Sequence, residues 1–441
     1  MGKKRIFLLL LSLFLVFPLF HCVSTEKRFE KGKELESRGR YEEAARYYIK
    51  VLEKDPTWEE SRQRLENVGA RAVDSFLKQA QTFKSTQSYE DTVQVLNRLD
   101  DLRQRSEKVG VIFLVPDDYE NFRQEMISAA ISSLFKEGEY AEQAGDWAEA
   151  ISKYEHLKNL YPLTPAQRER ADLAVARVYV SWAEQDLAGR FYRAAFDHAQ
   201  KAIETLGPES ISGLNALNIQ KAALEAGTRI VAVLPLWSSE RVEREVPEGM
   251  ARELYDVLLY EYLSKPVPFV AVADPGKVHR EMRRLDLKDK QITLNVAVKI
   301  GQNLITDFVA VGKLEFYLRE EKVLQEIEHK VRLRTDPSSS SAFVEQKYSI
   351  KIMAELKLQL IDPVIRRVVD EETVHSEVKD QFRRGVYDGD SANLELSRSE
   401  HRLFDREALQ QAEQELVDKL IDQLAERLAE RINGRVLRFV R

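Results

Sequence analysis

The chain holds a single cysteine in 441 residues, with only 4 tryptophans and 5 methionines, and carries no excess of basic charge. One cysteine excludes an internal disulfide and a cysteine-rich zinc site. With 67 Lys and Arg against 73 Asp and Glu the formal net charge is −6, which gives no support to binding a polyanion such as nucleic acid. Catalytic signatures are missing as well: there is no Walker-type phosphate loop, no HExxH, no GxSxG and no GxGxxG after a strand. The 7 histidines are scattered. "YDGDSANLE", with Asp388 and Asp390, lacks the further acids and glycine spacing of a calcium loop and reads as a polar turn. Carboxylates are so frequent that no acid/base pair stands out. The expectation is a protein that is not an enzyme, with no catalytic residue, no cofactor and no metal site.

What is present is a globular mixture, 44% hydrophobic and 32% charged, long enough for two or three domains. Lys3, Lys4 and Arg5 precede a mostly apolar run from Ile6 to Phe20, broken by Ser12 and Pro18, and Cys22 follows. A basic start and an apolar stretch of this length form an export signal. A cysteine at its end resembles a bacterial lipoprotein signal, cleaved before the cysteine, whose thiol then carries lipid. The resemblance implies a signal peptide over residues 1–21, Cys22 as the lipid attachment site and a membrane anchor. The sequence Leu19-Phe20-His21-Cys22 departs from the usual small residue before the cysteine. An ordinary signal peptide, or a short anchor with Cys22 incidental, is the competing reading. Val23, where an Asp would resemble an inner-membrane retention signal, points to the outer membrane.

"GKELESRGRYEEAARYYIKVLEKDP" and "GEYAEQAGDWAEAISKYEHLKNLYP" share one spacing. Gly32, Gly39, Tyr41, Ala44, Tyr48 and Pro56 correspond to Gly138, Gly145, Trp147, Ala150, Tyr154 and Pro162. The first glycine lets two helices approach, the second closes the first helix, the aromatic and Ala lock the second helix, and Pro stops it. Weaker copies run through Ala80, Gln87, Tyr89, Thr92 and Leu96, and through Trp182, Gly189, Phe191, Ala194 and His198. This motif resembles the tetratricopeptide repeat, although the copies are spaced more widely than its usual ~34 residues. The resemblance implies an irregular helical solenoid over residues 22–227, with a protein partner whose contact residues are unknown. The residues named above read as core.

From "RIVAVLPL" onward, in a second domain over residues 228–441, β-branched runs alternate with amphipathic segments. Strands are expected over Ile230–Leu236, in "PFVAVAD" and in "TDFVAVGKLEFYL", with helices over Pro247–Ser264, Val278–Leu285 and Leu294–Leu304. After Glu320, period-two alternation predicts antiparallel strands around Val323–Leu333 and Tyr348–Leu360, connected by Asp336–Phe343 and followed by a reversal at Asp362-Pro363. A closing amphipathic helix is expected from Phe404 to Ile432, ending at Asn433-Gly434. The fold class is thus a helical solenoid followed by an α/β domain with a mixed sheet.

That order, carried by "RIVAVLPL", "EGMARELYDVLLYEYLSK", "PFVAVAD", "AVKIGQNLITDFVAVGKLEF" and "LKLQLIDP", resembles the periplasmic α/β domain shared by CsgG, LpoB and the N-terminal domain of TolB. The resemblance implies an envelope lipoprotein acting as a scaffold for other envelope proteins, anchored at the outer membrane and facing the periplasm. The alternative is a subunit of an oligomeric CsgG-like secretion channel. For that, strands of ~10 residues with an apolar face and aromatic girdles would be needed. Val323–Arg334 interrupts its apolar face with Gln325 and His329, and the strand through Tyr348 could equally pack on the closing helix.

Overall fold

A computed structural model describes residues 24–287, 292–335 and 338–441, so Cys22, the apolar run before it and part of the Asp336–Phe343 connection lie outside the described residues. The architecture is mixed α and β. Among the described residues 14 helices, many packed in a consecutive array, are followed by a mixed six-stranded sheet. The chain divides into two compact units, Met1–Val178 and Tyr179–Arg441.

In the first unit α1 (Thr25–Ser37), α2 (Tyr41–Leu52), α3 (Glu59–Ser85), α4 (Tyr89–Lys108), α5 (Tyr119–Ala144) and α6 (Trp147–Leu160) each pack on the next. Ser24 opens α1 by accepting a hydrogen bond from the Lys27 N–H, and Asp146 opens α6 through the Glu149 N–H. Both side chains thereby satisfy an orphan donor of the first turn. Ala44, Tyr48, Leu65, Leu96, Leu99 and Leu134 are wholly buried between the helices. Between α4 and α5 the chain is extended, with Val111 and Phe113 buried and Ile112 and Leu114 in solvent. The units divide within α7 (Pro165–Ala188).

In the second unit the end of α7 joins α8 (Tyr192–Leu206) and α9 (Ile211–Gly227) around Ala183, Ala195, Ala199, Ala216 and Ala223. Small side chains at these positions permit close packing, and Phe269 and Val440 complete the same core. The sheet follows: β1 (Arg229–Val233), β2 (Trp237–Ser238), β3 (Val270–Val272), β4 (Phe308–Arg332), β5 (Ser340–Asp362) and β6 (Arg367–Val386). Their order is β3-β1-β4-β5-β6, with β2 beside β4. Strands β3, β1 and β4 are parallel, while β4, β5 and β6 form an antiparallel meander.

Both faces of the parallel part are covered, as such sheets require. On one side Ala232, Leu234, Val309 and Val311 pack with Val278 and Met282 of α11 (Pro275–Arg284) and Ala297 and Ile300 of α12 (Leu294–Leu304). On the other, β1, β4, β5 and β6 share a core with α10 (Met250–Val257) and α14 (Arg406–Leu437). Leu416, Leu420, Leu424, Leu428 and Ile432 recur every fourth residue along α14 and face Tyr348, Ile350, Ile352, Leu356 and Leu358. Each such side chain, fully buried, contributes about 2 kcal/mol relative to exposure. A short helix, α13 (Arg398–His401), precedes α14 and is opened by the reciprocal Ser397 and Glu400 capping bonds.

Several boundaries differ from expectation. The strand from Phe308 does not stop near Leu318 but continues as one 25-residue strand to Arg332, with irregularities at Leu314/Phe316 and Val323/Gln325. The helix expected over Pro247–Ser264 is α-helical only over Met250–Val257, and Leu258–Tyr262 is a π turn. Asn433-Gly434 does not end the last helix, which runs to Leu437. Val436 beyond it is wholly buried, and Arg435 reaches Asp370 and Glu372, each at 2.6 Å, so the last turn is held by its own contacts.

Candidate interaction surfaces

The repeated motif is built alike in its two strong copies. A Cβ on Gly32 would stand 2.6 Å from the Tyr48 ring, and one on Gly138 2.5 Å from the Tyr154 ring, so each glycine is the seat of a tyrosine. Gly39 and Gly145 turn the chain with φ of +73° and +74°, a region that glycine enters without steric cost. The Tyr48 hydroxyl donates to Glu36 at 2.6 Å, and the Tyr154 hydroxyl donates to Glu142 at 2.6 Å. Arg64 then meets Glu36 at 3.2 Å and Arg177 meets Glu142 at 2.8 Å. Burial, followed by the carboxylate bond, pushes both phenols well above their ordinary pKa.

The weaker copies keep the outline with other chemistry. Gln87 takes the left-handed turn with φ +58°, and Ala80 and Leu96 are wholly buried, but Leu96 offers no hydroxyl. In the last copy Trp182 stacks on His198 with ring centroids 3.8 Å apart, and His198 Nδ1 lies 2.8 Å from Asp186. There the left-handed residue is Arg190 rather than Gly189, the helix starts at Tyr192, and Ala195 rather than Ala194 is fully buried. The turn therefore falls one residue later than the spacing suggests.

Two concave surfaces stand out. In the first unit Glu90, Asp91, Asn97, His156, Leu160 and Tyr161 line a groove of about 290 Å³ between α4 and α6. His156 Nε2 is 2.8 Å from Glu90, and burial together with the Glu90 charge pushes the Tyr161 phenol up to about 12. In the second unit a cleft of about 440 Å³ opens at the carboxyl end of β1, lined by Leu236, Trp237, Pro247, Gly249, Met250 and Arg252. Crevices outside the carboxyl ends of parallel strands are where α/β sheets bind ligands. Here the Lys313 ammonium lies 5.0 Å from the Trp237 ring centroid.

Charged clusters elsewhere are structural. Glu345 is buried between His329, at 2.9 Å, and Arg383, while His329 stacks on Phe343 with centroids 5.0 Å apart. Bonds to Glu372 and Asp370 raise the Arg435 pKa, and hydrogen bonds from the Ser397 hydroxyl and N–H hold Glu400 below the usual carboxylate range. Such shifts keep each group in the form it already has at neutral pH. Asp390 accepts from the Ala392 N–H at 2.9 Å and so acts as a turn cap. Among the described residues no cluster of three or more His, Cys, Asp and Glu is arranged to hold a metal ion, and no helix is long and apolar enough to cross a membrane.

The apolar face of β5 is covered by α14. Beyond Leu314, β4 has no strand partner on its outer edge among the described residues, and Leu318, Val323, Leu324 and Ile327 are exposed there. At the opposite end of the sheet lies a group of exposed aliphatic residues that the sequence reading did not single out: Ile305, Val364 and Ile365. Two consecutive apolar residues inside the Asp362-Pro363 reversal were the available signal.

No protein-family model matches the chain, and no curated protein matches it. Among solved structures it is similar to the hypothetical protein CT253 from Chlamydia trachomatis, at 14% identity and a TM-score of 0.24, over 48% of this chain and 99% of that one.

Proposed function

We propose that the chain is a lipoprotein of the bacterial cell envelope, anchored through Cys22 at the outer membrane and facing the periplasm. In this reading it acts as a non-catalytic scaffold that holds other envelope proteins. Its helical array is of the tetratricopeptide-like kind, and its sheet-bearing domain is related to that of CsgG, LpoB and TolB. The observation that carries the reading is the glycine-seated tyrosine bonded to a carboxylate twelve residues earlier, repeated at Tyr48 and Tyr154. Packing units that recur along a chain build solenoids, and solenoids commonly serve as scaffolds. The anchor is tested by mass spectrometry of the mature N-terminus, with an acylated Cys22 expected and Cys22→Ala losing the modification. An unacylated chain starting elsewhere would remove the anchor.

A second reading, the subunit of an oligomeric CsgG-like outer-membrane channel, is favoured by the lengths of β4, β5 and β6 and by exposed Leu318, Val323, Leu324 and Ile327. Against it stand Glu320, Glu321, Lys322, Glu326 and Glu328 on the same stretch. Charged residues on a lipid-facing strand are destabilising, most at mid-membrane depth.

A further inference from the structure

Where β1 and β4 begin and β5 turns into β6, five β-branched aliphatic side chains stand in solvent. Ile305 is 85% exposed, Val364 79%, Ile365 56%, Ile230 39% and Val368 37%. They belong to one built end of the sheet. Gln302 of α12 donates to the Pro363 carbonyl at 2.9 Å, and Gly301 packs against the Pro363 ring. Asp307, just after Ile305, accepts the Ile230 N–H at 2.8 Å. Lone exposed apolar residues need no explanation, but a group of them does.

Ile305 also holds a left-handed backbone, φ 54° and ψ 52°, as it closes α12. That conformation is costly for a β-branched residue, and Gly or Asn would end the helix more easily. The side chain gains no burial in return, so the fold alone does not account for an isoleucine here.

The charges beside this end have one sign to spare. Arg366, itself left-handed with φ +58°, and Arg367 are exposed, and among the described residues neither has a carboxylate at ion-pair distance. The adjacent acid, Asp362, accepts the Val364 and Ile365 N–H groups at 2.8 and 3.1 Å and stands across the ladder from Arg367, so its charge offsets one of the two arginines and leaves the other in excess. Asp307 is shared between Ile230 and Arg229. An apolar tip flanked by unpaired arginines is complementary to a bilayer surface: aliphatic groups enter the headgroup region while guanidinium groups reach phosphates. A second copy would fit less well, because a two-fold contact through this patch brings the same arginines face to face.

We infer that this end of the sheet docks on an anionic lipid surface, with Val364, Ile365 and Ile305 as the inserting group and Arg366 and Arg367 as the phosphate contacts. The contact is independent of any lipid on Cys22.

The test uses the full chain carrying Val364→Trp, mixed with vesicles of phosphatidylcholine, with and without phosphatidylglycerol, whose acyl chains carry bromine. Relative to the parent chain, the added emission is expected to shift blue and to be quenched in the anionic vesicles and much less in the zwitterionic ones. Tyr260→Trp, at another exposed position of the same unit, serves as the control and is expected to escape quenching. Adding Arg366→Gln and Arg367→Gln is expected to weaken the partitioning of the tip about thirtyfold, the effect of two basic charges near an anionic surface. Absence of quenching at the tip, or equal quenching at both positions, would overturn the inference. So would a concentration-dependent blue shift without vesicles that accompanies a doubling of mass, which would assign this end to a second copy. Equal quenching with and without phosphatidylglycerol would overturn the role of the arginines.

Discussion

The hydroxyl of Tyr48 lies 2.6 Å from Glu36, twelve residues earlier, and the same bond ties Tyr154 to Glu142, while His198 and Asp186 repeat the interval with an imidazole. One helix is thus latched to the preceding helix by a ring seated on a glycine and a polar tip that reaches a carboxylate. Tyr48→Phe and Tyr154→Phe are each expected to cost about 1 kcal/mol, the net worth of one such hydrogen bond. Gly32→Ala should cost more, about 1–3 kcal/mol, because its Cβ would enter the Tyr48 ring. Denaturant titration measures all three, and an Ala as harmless as wild type would refute the seating of Tyr48.

Alkaline pH should loosen both units, since raised phenols occur in each. In the first, Tyr48, Tyr119 and Tyr154 keep their protons above the ordinary phenol pKa of 10.0 because burial and a neighbouring carboxylate disfavour the phenolate. Their stabilising contribution is complete below the unfolded value and declines as pH rises from there towards the raised folded values. Stability measured between neutral pH and the region above 10 is therefore expected to fall. The fall should be smaller in the triple Phe variant. An unchanged pH dependence in that variant would contradict the assignment.

Arg435 spans Asp370 and Glu372, both at 2.6 Å and both only about a fifth exposed. Arg435→Met removes the shortest partner of two neighbouring carboxylates packed against the Leu358, Leu360 and Ile432 side chains, leaving Glu372 only Arg431 at 3.4 Å and Asp370 only Arg438 at 3.8 Å. A cost of about 2 kcal/mol is expected, discounted from the larger penalty of a fully buried pair. Adding Asp370→Asn and Glu372→Gln should recover part of it. No recovery in this double-mutant cycle would show that the loss is packing of the arginine stem instead.

Leu424 is wholly buried in the core shared by α14 and the sheet. Leu424→Ala is expected to cost about 3 kcal/mol. Thermal unfolding measures it, and a loss under about 1 kcal/mol would mean that α14 is dispensable to the sheet.

Much of this fold was legible from residue spacing because the packing is periodic. Gly32 and Tyr48, or Gly138 and Tyr154, must stand at fixed separations for a ring to seat on a bare backbone. The α12 helix, Leu294–Leu304, was read with both ends in place since Thr293 caps it and apolar positions recur along it. Other features rested on contacts that spacing does not report. Past Glu320, β4 exposes both faces over most of its length, so the period-two alternation from Val323 read as a separate strand and not as the continuation of the one that starts at Phe308. Gly434 looked like a stop, yet the ion pairs of Arg435 and the burial of Val436 carry the helix past it. The exposed group at Ile305, Val364 and Ile365 was hidden for the opposite reason, since aliphatic residues in sequence read as core.

The most direct test of the scaffold reading is the mass and shape of the detergent-extracted protein, by native mass spectrometry with electron-microscope imaging. A monomer or small oligomer with an acylated Cys22 is the expected result. A ring of many copies enclosing a membrane-spanning barrel would contradict it and establish the channel reading instead.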